Sequence, residues 1–198
     1  MDFILATTNR GKAIEVLELL GVQHTVRTLA DVGFCEEIAE YGVTFAENAA
    51  IKAKAVREVV TSGFDYILAD DSGLVIDALD GKPGVYSARW LGTDTPYDVK
   101  NQMVIEMLKD VPEVKRTARF VCAMACINIE NQMLSAEGVL EGRIATEPAG
   151  NNGFGYDPIF YLPGKGCTLA QLGLEEKNCI SHRSLAFRNL HELCKGLI

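Results

Sequence analysis

The sequence predicts an α/β protein of three layers, with helices packed on a mixed, twisted β-sheet. Short apolar runs alternate with helical patterns over residues 3–109. A pair of long β-rich segments then follows in "RTARFVCAMACINIENQMLSAEGVLEGRIA". No repeat, linker or low-complexity tract interrupts the 198 residues, so 1–198 reads as one domain, long enough for one sizeable core.

The elements follow from local chemistry. "FILAT" is a short apolar run bounded by polar residues and reads as a buried strand. Asn9 can cap the helix after it, in which Ala13, Leu17 and Leu20 recur at helical spacing and Gly21 supplies the stop. Residues 25–30 read as a second strand. "TFAENAAIKAKAVREVVTSG" is a helix opening on a Thr44/Glu47 capping box and closing near Gly63. A strand at 66–70 precedes an extended pair, 73–79 and 85–89, joined by "DGKPG". Residues 96–109 suit a helix. The long segments form a hairpin turning at Glu130 and Asn131, with Cys122 and Cys126 on one strand face. The tail from Ser181 to Leu197 is an amphipathic helix with Ala186, Leu190, Leu193 and Leu197 on its stripe.

Composition narrows the function classes. Lys and Arg number 19 against 27 Asp and Glu, a net charge of −8, which disfavours nonspecific binding to nucleic acid or anionic membrane. The start "MDFILATTNRGK" is unlike a signal peptide, and no apolar run spans a bilayer. The six cysteines contain no CxxC pair and read as thiols of a reducing cytoplasm.

Four polar segments carry the candidate chemistry. "ATTNRGK" puts amides and hydroxyls at a helix N-terminus, where an anion is favoured. Lys12 in that first turn is unfavourable without an anion nearby, unless it is simply solvated. The GxxxxGK[ST] spacing of a phosphate-binding P-loop is absent. In "YILADDSGL" two adjacent carboxylates, Asp70 and Asp71, end an apolar strand, and proximity and desolvation both disfavour their charge. A divalent cation would relieve that, or the pair caps a turn. Alternation sends the two side chains to opposite faces, with Asp71 the one expected toward metal and water. "EPAGNNGFGYDPIF" is either a surface loop or a glycine-rich segment offering Phe154 and Tyr156 as flat faces. In "EEKNCISHRSLA" Ser181 can cap the last helix. His182 and Arg183 then oppose the helix dipole unless an acceptor lies nearby. Glu36, Glu37 and Glu40 could join Asp71 at a metal or form a solvated loop.

Together "ATTNRGK", "TFAENAAIKAKA", "ADDSGL", "GKPGVYSARW", "FGYDPIF" and "EEKNCISHR" resemble, in order and spacing, the inosine triphosphate pyrophosphatase family, from Ile4 to the final helix. The resemblance implies two lobes flanking a nucleotide cleft, a homodimer and Mg²⁺-dependent hydrolysis of ITP, dITP or XTP to the monophosphate and pyrophosphate. It implies that Thr7, Thr8, Asn9, Arg10, Gly11 and Lys12 hold the triphosphate, joined by Lys52. It makes Asp71 the general base and a metal ligand, with Ser72 beside it at the substrate. Phe154, Gly155, Tyr156 and Asp157 would surround base and sugar, and Lys177, His182 and Arg183 would complete base recognition. The family often carries a metal-binding Glu ahead of the glycine of a Glu-Thr-Gly segment. Counted three back from Gly42 that slot is Ala39, with Glu40 the neighbour placed to substitute and Glu37 next. Rival expectations are a pyrophosphatase for other modified nucleotides and a nucleotide-binding protein without catalysis.

Overall fold

The structure, a computed structural model, describes residues 1–194. Its seven strands are β1 (Asp2–Leu5), β2 (Thr25–Thr28), β3 (Tyr66–Ile76), β4 (Thr117–Asn128), β5 (Met133–Ile144), β6 (Phe160–Leu162) and β7 (Cys167–Thr168). They form one sheet in the order β2-β1-β3-β4-β5-β6-β7. β1 runs parallel to β2 and β3, whereas β6 is antiparallel to β5 and β7, so the sheet is mixed. The helices are α1 (Arg10–Leu20), α2 (Phe45–Val59), α3 (Tyr97–Met107), α4 (Leu174–Ile180) and α5 (His182–Cys194). No helix among the described residues is long and apolar enough to cross a membrane.

The chain divides into two compact units. The first comprises, among the described residues, Met1–Asp71, Cys122–Gly138 and His182–Cys194. Its layers follow from strand alternation. Ile67 and Ala69 of β3 pack with Ala49, Ala53 and Val56 of α2. Leu68, one residue out of phase, packs with Val16 and Leu20 of α1 and Ala186 and Leu190 of α5. Each fully buried Val, Leu or Ile side chain among these contributes about 1.5–3 kcal/mol relative to exposure. Cys122 and Cys126 share the second layer, as their even spacing predicts. Gly138 of β5 lets α5 approach closely, since a Cβ there would clash with the backbone of His182 and Ala186.

The second unit comprises Ser72–Val121 and Val139–Ser181. Leu74 and Ile76 of β3, Val104 and Leu108 at α3, and Ile144 and Phe160 form its core.

The predicted caps at Asn9, Gly21 and Thr44 are present. Asn9 accepts from the Lys12 amide, the Gly21 amide closes α1 on Leu17, and Thr44 and Glu47 form a reciprocal capping box. Other expectations are corrected. Leu17 is exposed, because α1 is rotated to bury Glu15, Val16 and Leu20. β2 stops at Thr28, where Asp31 caps the chain by accepting from the Thr28 amide at 2.8 Å. α2 ends at Val59, not near Gly63. β3 does not end at residue 70 but runs to Ile76, and residues 85–89 form no strand. Ser87 is instead held by side-chain bonds, accepting from Leu74 N at 2.9 Å and donating to the Gly84 carbonyl at 2.6 Å. Leu193 is exposed, and Leu197 lies outside the described residues.

Candidate active site

Adjacent carboxylates in the middle of a strand must point to opposite faces, and Asp70 and Asp71 therefore meet different partners. Asp70 lies on the α1/α5 side, 2% exposed. Its Oδ2 accepts from Arg183 Nε at 3.2 Å and Nη2 at 3.1 Å, and Lys12 Nζ is 3.2 Å away. Arg183 Nη1 also donates to Glu15 Oε2. Burial alone would raise the Asp70 pKa, but Lys12, Arg183 and Lys52 together hold it well below the usual carboxylate range. Burial opposes the charge of Arg183 in the same way, and Asp70 and Glu15 outweigh it, raising the guanidinium above its ordinary value. The anion that Lys12 requires in the first turn of α1 is thus a protein carboxylate.

Asp71 lies on the α2 side. Its Oδ1 accepts from Lys52 Nζ at 2.9 Å and its Oδ2 from Asn48 Nδ2 at 3.2 Å. Lys52 Nζ also bonds the Asp70 carbonyl at 3.1 Å and Glu40 Oε1 at 2.7 Å. Burial disfavours the Lys52 charge, yet Asp71, Asp70 and Glu40 together raise its pKa. Ala39, the slot counted from Gly42, is exposed, and the carboxylate that reaches the site is Glu40. Glu40-Tyr41-Gly42 matches the Glu-Thr-Gly segment two residues back from the glycine, with no offset, which corrects the count to Ala39.

In the first loop Thr7 Oγ1 accepts from the Asn9 amide at 3.1 Å, while Thr8, Asn9 and Arg10 are exposed. Gly11 and Lys12 lie in the first turn of α1. His182 is buried at the start of α5.

The remaining predicted residues lie in the second unit. Lys177 Nζ pairs with Asp157 Oδ2 at 2.5 Å, both side chains 3% exposed, and lies 4.9 Å from the Phe154 ring centre. The same oxygen accepts from the Phe154 amide at 2.8 Å. Gly153 and Gly155 adopt left-handed backbone at φ 73° and 68°, and a Cβ on Gly153 would clash with Asp157. Asn101 Nδ2 donates to the Gly155 carbonyl at 3.1 Å. Tyr156 is buried, its edge against Tyr97 and its hydroxyl donating to the Ser87 carbonyl at 3.0 Å. Ser72, which begins this unit, is half-buried.

The structure therefore joins Asp71, Lys52 and Glu40 in one set, Lys12 and Arg183 in a second around Asp70, and Phe154, Asp157 and Lys177 in a third. Two residues were missed in the sequence. Asn48 lies one helical turn before Lys52 and Glu15 three residues after Lys12, spacings that share a helix face. Among the described residues no three His, Cys, Asp or Glu side chains converge as a metal cluster.

The model of the Ham1 family matches residues 3–193. A protein of Halalkalibacterium halodurans named dITP/XTP pyrophosphatase is 46% identical over 96% of this chain and 96% of its own. The Bacillus subtilis protein of the same name is 47% identical over 98% of each. The solved structure of the Staphylococcus aureus Ham1 protein superposes with a TM-score of 0.87 at 33% identity, covering all of both chains.

Proposed function

Because the chain belongs to the Ham1 family, we propose that it is a nucleoside triphosphate pyrophosphatase that hydrolyses non-standard purine nucleotides, dITP, XTP and ITP, to the monophosphate and pyrophosphate. The names of its relatives support this. The observation that carries it is Lys52 Nζ held between Asp71 and Glu40 at 2.9 and 2.7 Å.

Those two carboxylates already embrace a cation, and their oxygen chemistry fits Mg²⁺, which takes one or two protein carboxylates and completes its shell with water and substrate phosphate. Asp71 and Glu40 are the residues that would hold it. When bound, the ion would offset charge on the triphosphate.

Asp71 takes the proton from the attacking water, a role worth ~10²–10⁴-fold for a positioned base. The water oxygen bonds to the α-phosphorus, the bond from that phosphorus to the α-β bridging oxygen breaks, and pyrophosphate leaves with the electron pair. Thr7, Thr8, Asn9, Arg10, Gly11 and Lys12 bind the phosphates, and Lys52 adds charge to the same task. Ser72 lies next to the base in the chain and contacts substrate. Phe154, Gly155, Tyr156 and Asp157 form the base and sugar site, Lys177 completes base recognition, and His182 donates to a purine C6 carbonyl. Adenine would present an amino group to that donor, and such mismatches reach about 10⁴–10⁵-fold discrimination. The guanidinium of Arg183, committed to Asp70 and Glu15, serves positioning better than direct contact. The enzyme is taken as a cytoplasmic homodimer acting on free nucleotides, in keeping with its charge of −8.

Incubation with ITP, dITP, XTP, ATP and GTP in Mg²⁺, with released pyrophosphate converted to phosphate and measured, tests the proposal. Turnover of the first three well above the last two is expected. No pyrophosphate from any of them, or equal rates with ATP and GTP, would overturn it.

A further inference from the structure

We propose that Asn48 is a positioning residue that ties the Glu40-bearing loop and Asp71 to a single turn of α2, fixing the separation of the two carboxylates; this deepens the function proposed above and rests on it. Asn48 is fully buried. Its Nδ2 donates to Asp71 Oδ2 at 3.2 Å, and its Oδ1 accepts from the Gly42 amide at 2.8 Å. A side-chain amide carries an uncharged donor and an uncharged acceptor on separate atoms, so it can hold both groups at once. An aspartate could hold Gly42 but would repel Asp71, and an apolar residue would remove the bonds to the Gly42 amide and to Asp71 Oδ2.

Three further facts support the clamp. Lys52, four residues on and so on the same helix face, bonds the other oxygen of Asp71 and also Glu40. The Asp71 carboxylate is thus gripped at both oxygens from one helix, while each oxygen retains acceptor capacity. Gly42 approaches so closely that a Cβ would lie 2.7 Å from Asn48 Oδ1 and 2.7 Å from Glu47 Cβ. Ile38 and Phe45 pack on the core at either end of the loop, but Tyr41 and Val43 are 79% and 78% exposed, so apolar burial does not hold Gly42 itself.

The test uses Asn48→Leu, close in volume but unable to form either bond, and Gly42→Ala, which forces the same contact apart from the loop side. Val56→Ala, in the core on the same helix, is the comparison for a purely structural effect. Binding of Mn²⁺ without nucleotide is measured by calorimetry, together with thermal unfolding and the kcat and KM of dITP hydrolysis. Both clamp variants are expected to weaken Mn²⁺ binding and lower kcat by about 10–100-fold, the usual range for residues that orient metal ligands, with KM for dITP little changed. Val56→Ala should unfold earlier yet bind Mn²⁺ normally. Normal Mn²⁺ affinity in either folded clamp variant, or equal loss in Val56→Ala, would overturn the proposal, as would a wild type that binds no Mn²⁺. A wild type that binds Mn²⁺ but hydrolyses no triphosphate sinks the proposed activity alone, since Mn²⁺ affinity still reports the clamp.

Discussion

Arg183 turns two donors of its guanidinium, Nε and Nη2, onto one oxygen of Asp70, although the residues lie 113 positions apart. With Nη1 on Glu15, the first turn of α5 is fastened to both β3 and α1. Replacing Arg183 by Met leaves Asp70 and Glu15 buried beside fewer cations, and breaking such a pair typically costs about 3–5 kcal/mol. Urea unfolding of Arg183→Met should show a loss in that range. A loss under about 1 kcal/mol would mean Lys12 alone suffices for Asp70.

Asp71→Asn keeps the shape of the side chain and can still accept from Lys52. It should fold with a near-native melting temperature while pyrophosphate release falls by at least ~10². Near-wild-type turnover in this variant would remove Asp71 as the base.

Chelation should silence the enzyme and added Mg²⁺ restore it. In Glu40→Gln one of the two carboxylates around Lys52 is neutral, so more Mg²⁺ should be needed for half-maximal rate, by about 10-fold or more. An unchanged Mg²⁺ requirement would exclude Glu40 as a ligand.

Lys177 neutralises Asp157, which in turn holds the Phe154 amide. Lys177→Met strands a buried carboxylate and should loosen residues 153–157. The expected result is a raised KM for dITP together with lost stability of about 3–5 kcal/mol. A KM equal to that of the wild type would show that the pair serves stability alone.

Gly138 faces the backbone of α5 with no space for a methyl group. Gly138→Ala should cost about 1–3 kcal/mol by overpacking, readable in thermal unfolding. A neutral effect would show that α5 can shift outward freely.

Much of the fold was legible because its signals are local. The Thr44/Glu47 box and the Asn9 cap each involve residues three apart, and both form as expected. Period-two alternation placed Asp70 and Asp71 on opposite faces, as observed. Where local signals failed, a distant contact explains the difference. "VYSAR" has β-forming residues, yet Ser87 is held by Leu74, Gly84 and the hydroxyl of Tyr156. In α1 the Ala13-Leu17-Leu20 stripe gives way to a face that buries Glu15, because Arg183 waits there, 168 positions along the chain.

By itself the sequence determined the alternation of strand and helix, the capped helix starts, and the pairing of opposite strand faces with two adjacent carboxylates. All of these depend on neighbours within a turn of helix or two residues of strand. Only the tertiary structure decided that Lys12 and Arg183 would share Asp70, and that Lys52 and Asn48 would divide the oxygens of Asp71. Which charge meets which is chosen when whole layers pack, where a buried carboxylate must find a donor or lose its charge.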